Sequence, residues 1–325
     1  MKINKINLYY KTIFIFFIFI FSLLFFFSTS RVEAKAFEIN NVEISKPFKI
    51  EFNRNKVIDE GFIEAFSKLV LLIVKSSDQK KINNIKLNEI KFMIESFSIK
   101  EEKFINEVYY LNFGVSFNKK KIFKFLESKN IFPSIPNNNK LLYLPIIIEE
   151  DKKNLFIFTN NKIFKEWNNY IEKHHLIEYV LPTEDLEDLE IIKKNYEFLE
   201  QYDFNEIINK YYLNDAIISL FFKNKDKIRV LSRLKIKNDI FLKNRSFIDL
   251  DLNNPSHIEK IIKSLKIDFE DHWKDVNKVN TSIKLPLRIK VKSSNEKIIS
   301  FFENILEETD LIYDYFIKKF DNEYI

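Results

Sequence analysis

The sequence predicts an α/β protein (α+β in the broad sense): consecutive small layered modules with mixed sheets behind an N-terminal hydrophobic helix. Three observations lead there. Segments apolar at every second residue interleave with segments apolar at every third or fourth, the periods of strand and helix. One run, Leu141–Ile148 (LLYLPIII), is apolar almost throughout, as in a strand covered on both faces. A separate apolar stretch, Ile13–Phe27, follows three lysines near the start.

In chain order, Lys2, Lys5 and Lys11 form a basic front, Ile13–Phe27 an apolar run, and Ala34-Lys35-Ala36 an A-x-A site that places cleavage before Phe37. That is the pattern of a secretory signal peptide. The run is close to the roughly 20 residues of a membrane span, so an uncleaved inner-membrane anchor is the alternative. Either way the basic flank stays in the cytoplasm and the body is exported. Phe37–Ile44 alternates as a strand. Val57–Val74 carries Ile58, Phe62, Ala65, Phe66, Leu69, Leu72 and Ile73 on one helical face. A second helix is expected over Leu87–Phe97. Val108–Phe117 alternates as a strand, and Asn118 caps a helix bearing Ile122, Phe125 and Leu126. The stretch Pro133–Asn139 (PSIPNNN) is the best linker in the chain.

A second module opens with Leu141–Ile148. A helix over Ile163–Ile171, a strand at Ile177–Leu181 broken by Pro182, an acidic-fronted helix from Thr183 and a helix over Phe204–Tyr212 follow. Ala216–Phe222, Ile228–Ile236 and Phe247–Leu252 read as strands. Asn254-Pro255 opens a long helix to about Val279, with Asn as cap and Pro at the first helical position. Leu285–Val291 alternates as a strand, Ser293-x-x-Glu296 is a capping box, and Leu311–Ile317 is a second strand. The expected divisions are 1–36 leader, 37–139 first module, 140–252 second module, 253–282 connecting helix and 283–325 a short β-α-β piece. That last piece either lacks a final strand or docks on the second module.

Composition excludes whole chemistries. Without Cys there is no disulfide framework, thiolate zinc site, Cys nucleophile or lipoprotein cysteine. Two glycines, Gly61 and Gly114, cannot make a P-loop, a dinucleotide fingerprint or a nucleophile elbow. Lys, Asn, Ile, Phe and Tyr, the residues of AT-rich codons, dominate, and the 35 Phe are expected to fill cores. The net charge of +5 is mostly leader. Residues 1–36 hold five basic residues and one acid, leaving 47 basic and 46 acidic residues, or +1, for the body. A near-neutral body gives no reason to expect nucleic acid as partner. Lys119–Lys121 reads as a solvated helix start.

With these units laid out, the chain resembles an exported bacterial family catalogued as domain of unknown function 2066. The likeness rests on Phe62–Val74 (FIEAFSKLVLLIV), on Val115–Phe125 (VSFNKKKIFKF) followed by Ile131-Phe132 and LYLPIII, and on Leu181–Leu189 (LPTEDLEDL). The last matches a Leu-Pro-x-x-Asp-x-x-Asp segment at Leu181, Pro182, Asp185 and Asp188. Where the family has a Gly-Ala-Asp turn, this chain has Leu213-Asn214-Asp215-Ala216, without the Gly. The resemblance implies an exported protein with no assigned substrate.

Among candidates for chemistry, Glu184, Asp185, Glu187, Asp188 and Glu190 are the most tempting. Glu184 and Asp185 could offer oxygens to a divalent cation, but acids in a first helical turn also answer the helix dipole. His174 and His175 are adjacent, so their side chains diverge by about 100° if helical. His257 and His272 are fifteen residues apart on one helix, about 22 Å, and cannot share a metal. Trp167 and Trp273 are expected to anchor helices to sheets. No catalytic residue, cofactor or metal ligand is expected. The predicted function is a non-catalytic exported binding or scaffold module, periplasmic or tethered through residues 13–27, with an envelope protein as partner. The alternatives are an enzyme with its site at the acidic loop 183–188, or a cell-wall or lipid-binding module.

Overall fold

A computed structural model describes residues 37–224, 227–291, 295–309, 312 and 314–318. The leader with Ala34 and Ala36, and Ser293 of the expected capping box, lie outside the described residues. The architecture is α/β, with helices on antiparallel and mixed sheets.

The first sheet has the order β1-β3-β2, all antiparallel: β1 (Glu38–Pro47), β2 (Ile94–Ile105) and β3 (Val108–Phe117). The alternation in β3 sorts its side chains. Tyr109, Leu111, Phe113, Val115 and Phe117 are buried, while Tyr110 is exposed. Helix α1 (Arg54–Ile73) covers this buried side, its cap Asn53 accepting from the Lys56 amide at 3.2 Å. Gly61 lets α1 approach closely: a Cβ there would stand 2.2 Å from Phe113 Cζ. Phe62 meets Phe113 and Phe66 meets Phe117 edge-on at 6.0 and 6.2 Å, the preferred aromatic geometry. The short helices α2 (Ser76–Gln79) and α3 (Leu87–Met93) follow, and α4 (Lys119–Ser128) starts on its cap Asn118 as expected.

Here one expectation is corrected. The helix foreseen over Leu87–Phe97 ends at Met93, and β2 begins at Ile94. Strand β2 is exposed along nearly its whole length, so its sequence carries no burial rhythm to betray it. It joins β3 through Asn106 and Glu107, both left-handed (φ 53° and 62°), the two-residue hairpin whose twist suits paired strands.

The second sheet has the order β5-β4-β7-β8-β9, with β6 also on β4. Its strands are β4 (Asn139–Glu149), β5 (Asn154–Phe156), β6 (Ile177–Val180), β7 (Ala216–Asn224), β8 (Lys227–Ile236) and β9 (Asp239–Ile248). Strands β6 and β7 run parallel to β4; the other pairings are antiparallel. The apolar run in β4 divides as a doubly covered strand must. Leu141, Tyr143 and Ile147 enter one core, Leu142, Leu144, Ile146 and Ile148 the other. Each such side chain contributes roughly 1.5–3 kcal/mol by leaving water. The first core is closed by α5 (Lys162–Glu166), with Trp167 just beyond it, and by the long α8 (Pro255–Val276), through Ile261, Ile262, Leu265, Phe269 and Trp273. The second is closed by α6 (Leu186–Lys194) and α7 (Asn205–Asn209) through Ile192, Ile207 and Ile208. Strand β9 starts eight residues before the expected Phe247. Its Lys243, Asn244 and Arg245 hide it from an apolar pattern, and the left-handed turn Lys237-Asn238 fixes its register.

The two sheets meet through α8 and the linker after α4. Lys75 pairs with Asp275 at 2.9 Å, and Asp271 accepts from the Ser76 amide and hydroxyl. Lys274 Nζ donates to the carbonyls of Leu71 and Val74 at 2.6 and 3.2 Å, a cation on the last turn of α1 where the helix dipole favours one. The linker is threaded between: Ser134 N donates to Ile73 O, and Trp273 Nε1 to Asn137 O. Helix α9 (Glu296–Glu308) is capped by Asn295. The strand expected over Leu285–Val291 is not formed, and described residues from Leu311–Ile317 belong to no strand. An alternating sequence makes a strand only where a neighbouring edge takes up its backbone groups.

Candidate functional site

The acidic segment folds into a clasp. Asp185 caps α6, its Oδ1 accepting from the Glu187 amide at 2.8 Å. Lys210, just past α7, reaches back with Nζ to Asp185 Oδ2 at 3.2 Å, Glu187 Oε2 at 2.8 Å and Asp188 Oδ1 at 2.6 Å. The amide of Glu187, then Lys210, hold the Asp185 carboxyl below the usual range, and the three carboxylates raise the Lys210 ammonium. Asp188 is buried, and its Oδ2 has no hydrogen-bond partner. Glu184 points elsewhere, accepting from Thr159 Oγ1 at 3.0 Å. Of the four motif residues, Pro182 and Asp188 are buried and Leu181 and Asp185 half-buried. Three acids therefore converge on a lysine. Among the described residues no three His, Asp or Glu are placed to hold a metal ion.

A second cluster escaped the sequence reading. Lys266, Glu270 and Lys274 sit at four-residue spacing on α8, and all three are buried. Both Glu270 oxygens accept from the Leu176 amide at 3.1 Å, and Oε1 also from Ile177 at 3.0 Å, so a carboxylate seats the start of β6. Lys266 Nζ donates to Tyr170 O at 3.1 Å and lies over the rings of Trp167 and Tyr179. Burial pushes its ammonium down to about 8, partly offset by Glu270. Burial raises Glu270 and lowers Lys274. His175 is pushed down to about 4, by burial first and then by His174. His257 Nδ1 accepts from the Asp251 amide, and His272 packs on Phe241. Trp167 is stacked on Tyr143 at 3.8 Å.

Two clefts open beside these elements. One of about 320 Å³ lies between β8, β9 and α8, lined by Lys243, Arg245, Asp268 and Phe269. The other, about 560 Å³, is polar and includes Asn139, Tyr212, Asp215 and Lys237. Asp215 is engaged there, accepting from Asn139 Nδ2 and the Lys237 amide.

The most conspicuous surface features are the free edges of the two sheets. At the end of the second sheet, β9 pairs among the described residues with β8 alone. Ile240, Leu242 and Ile248, all on its face away from α8, are 61%, 62% and 68% exposed. At the end of the first, β2 exposes Phe97, Ile99, Phe104 and Ile105. Neither edge was visible in the sequence: two register shifts, after Ile94 and after Ile99, break the alternation of β2, and Lys243, Asn244 and Arg245 interrupt that of β9.

No family model matches the chain, and no curated protein matches it. A crystal structure of an uncharacterized protein aligns with 44% of this chain and 95% of its own, at 6% identity and a TM-score of 0.16.

Proposed function

We propose that this chain is an exported envelope protein acting as a non-catalytic binding or scaffold module of the bacterial periplasm, akin to the family catalogued as domain of unknown function 2066. The observation that carries the binding role is the β9 edge: unpaired backbone groups beside exposed Ile240, Leu242 and Ile248. Such an edge is a template for an extended segment of another protein, which gains main-chain hydrogen bonds and apolar contact together. The export reading is supported by the basic, apolar and A-x-A sequence of the leader. Among the described residues no helix is long and apolar enough to cross a membrane. An enzymatic reading centred on 183–188 would need those carboxylates to leave Lys210.

The test is fractionation followed by capture from detergent-solubilised envelopes, comparing the wild type with Leu242→Lys. The expected result is an envelope-associated protein whose captured partner is lost in the variant. Recovery in the cytosolic fraction would overturn the export reading. Capture unchanged by Leu242→Lys would overturn the role of β9.

A further inference from the structure

The residues after α8 alternate with unusual regularity. Ile283, Leu285, Leu287, Ile289 and Val291 are apolar; Lys284, Arg288 and Lys290 between them are basic, and Pro286 takes the remaining place. Leu285 and Leu287 are 85% and 82% exposed. Helix α9 follows with Ile298, Phe301 and Ile305, at three- and four-residue spacing, also exposed. A strand-patterned segment and an amphipathic helix thus leave their apolar sides in water, a surface that marks an interface.

We infer that Ile283–Val291 and α9 act as an arm that adds to the β2 edge of a second copy of this chain, Ile283–Val291 as an outer strand and α9 as its cover. Three observations select that edge and that occupant. First, β2 has a mainly apolar face, whose one acid, Glu102, is taken up by Arg54 of α1, and a polar face. Phe97 and Ile99 face the α1 side, Phe97 lying edge-on to Phe62 at 5.2 Å, and both are left part-exposed where the sheet stops. Its other face lies in a row with Glu43, Asn112 and Glu101, with Glu38 further along and Lys103 answered by Glu101 at 2.9 Å. The arm has the matching pair of faces, apolar on one and basic on the other, so Arg288 and Lys290 fall on the side of those glutamates. On β9 the same fit fails. Joining the apolar row of the arm to Ile240, Leu242 and Ile248 would set its basic row beside Lys243 and Arg245, where the one neighbouring carboxylate, Asp268, is already paired with Arg245. Like charges on one sheet face repel.

Second, Pro286 decides how the arm can pair. Alternate residues of a strand send their backbone groups to opposite edges. The edge of Pro286 lacks a donor, so pairing runs through Leu285, Leu287 and Ile289, and the outer edge is blunted by proline. The added strand ends the sheet instead of inviting another. Third, within its own chain the arm runs past α4, where Lys284 meets Glu127 at 3.6 Å, and among the described residues its backbone joins neither edge. The edge it fits is therefore supplied by another molecule. Mutual exchange gives a closed two-fold dimer. This goes beyond the envelope-partner reading and uses the other sheet.

The absence of cysteine makes the test clean. Full-length chains in mild detergent, carrying two different tags, are co-expressed with Leu287→Cys on one and Ile99→Cys on the other, and treated with a short bismaleimide. The expected product is a covalent dimer bearing both tags. Failure to cross-link, or an equal yield when Leu242→Cys on β9 replaces Ile99→Cys, would overturn the assignment. In parallel, Leu287→Pro removes a donor from the pairing edge at a residue outside the core. It should halve the mass measured by sedimentation while leaving tryptophan fluorescence unchanged; an unchanged mass would overturn the proposal. Leu242→Lys should leave the dimer intact, so failure here is distinguishable from failure at β9.

Discussion

Lys266→Met tests the buried charge cluster directly. Lys266 is fully buried on α8, and its ammonium is pushed down to about 8 from 10.5. Between those two values the unfolded chain holds a proton that the folded chain has lost, so stability rises with pH across that window. The gap is about 2.5 pH units, or at most about 3.4 kcal/mol. Residual solvation and local relaxation reduce this, leaving about 1.5 kcal/mol for the expected rise. Methionine keeps the volume and drops the charge, but leaves Tyr170 O without its donor, which costs about 1 kcal/mol. Near pH 7 the variant should therefore be within about 1 kcal/mol of the wild type, and most of its rise in stability above pH 8 should vanish. Lys274 is lowered by burial too and retains its share of the slope. The assay is urea unfolding at pH 7 to 9.5, followed by Trp167 and Trp273, which flank the cluster. An undiminished slope in the variant, or a loss above about 3 kcal/mol at pH 7, would refute the reasoning.

Gly61→Ala forces a methyl to 2.2 Å from Phe113 Cζ and should cost about 1–3 kcal/mol in chemical denaturation, with Phe113→Leu in the same chain recovering part of it. Lys210→Met strips the counter-charge from Asp185, Glu187 and buried Asp188. Its urea midpoint should fall clearly at pH 7, and the gap to the wild type should narrow only as pH falls below the ordinary aspartate value, where the lowered Asp185 carboxyl takes up its proton. Glu102 is held down to about 2 by Arg54 and then Tyr109, so its contribution is present above the ordinary carboxyl value and lost as pH falls toward 2. Arg54→Met should flatten that acid limb in thermal melts recorded from pH 5 to pH 2.

How far the sequence could be read follows from burial. LLYLPIII announced a doubly covered strand because every side chain meets protein, and the apolar stripes of α1 and α8 announced helices for the same reason. Strands β2 and β9 were missed or displaced because they are edges, with half their neighbours absent and ordinary polar side chains. The cluster on α8 was hidden differently. Lys266, Glu270 and Lys274 flank the apolar stripe, and charge there suggests solvent; only the packing of β6 and α1 against that flank buries them. Their four-residue spacing beside the stripe was the one available signal. The acidic segment drew attention by composition, yet its meaning depended on Lys210, some twenty residues away in sequence.

The scarcity of glycine also has an energetic side. Both glycines have negative φ, while Asn106, Lys153, Phe158, Phe204, Tyr212, Lys237 and others occupy the left-handed region. Asparagine tolerates that region, but bulky Phe158, Phe204 and Tyr212 hold it at a strain of order 1 kcal/mol each. A composition with two glycines thus reaches past side-chain chemistry into the backbone. Tyr212, 95% exposed and making no core contact of its own, marks a place where one change to glycine would relax the turn. The protein thus carries headroom for thermal hardening in its turns, at positions where the fold itself would accept glycine.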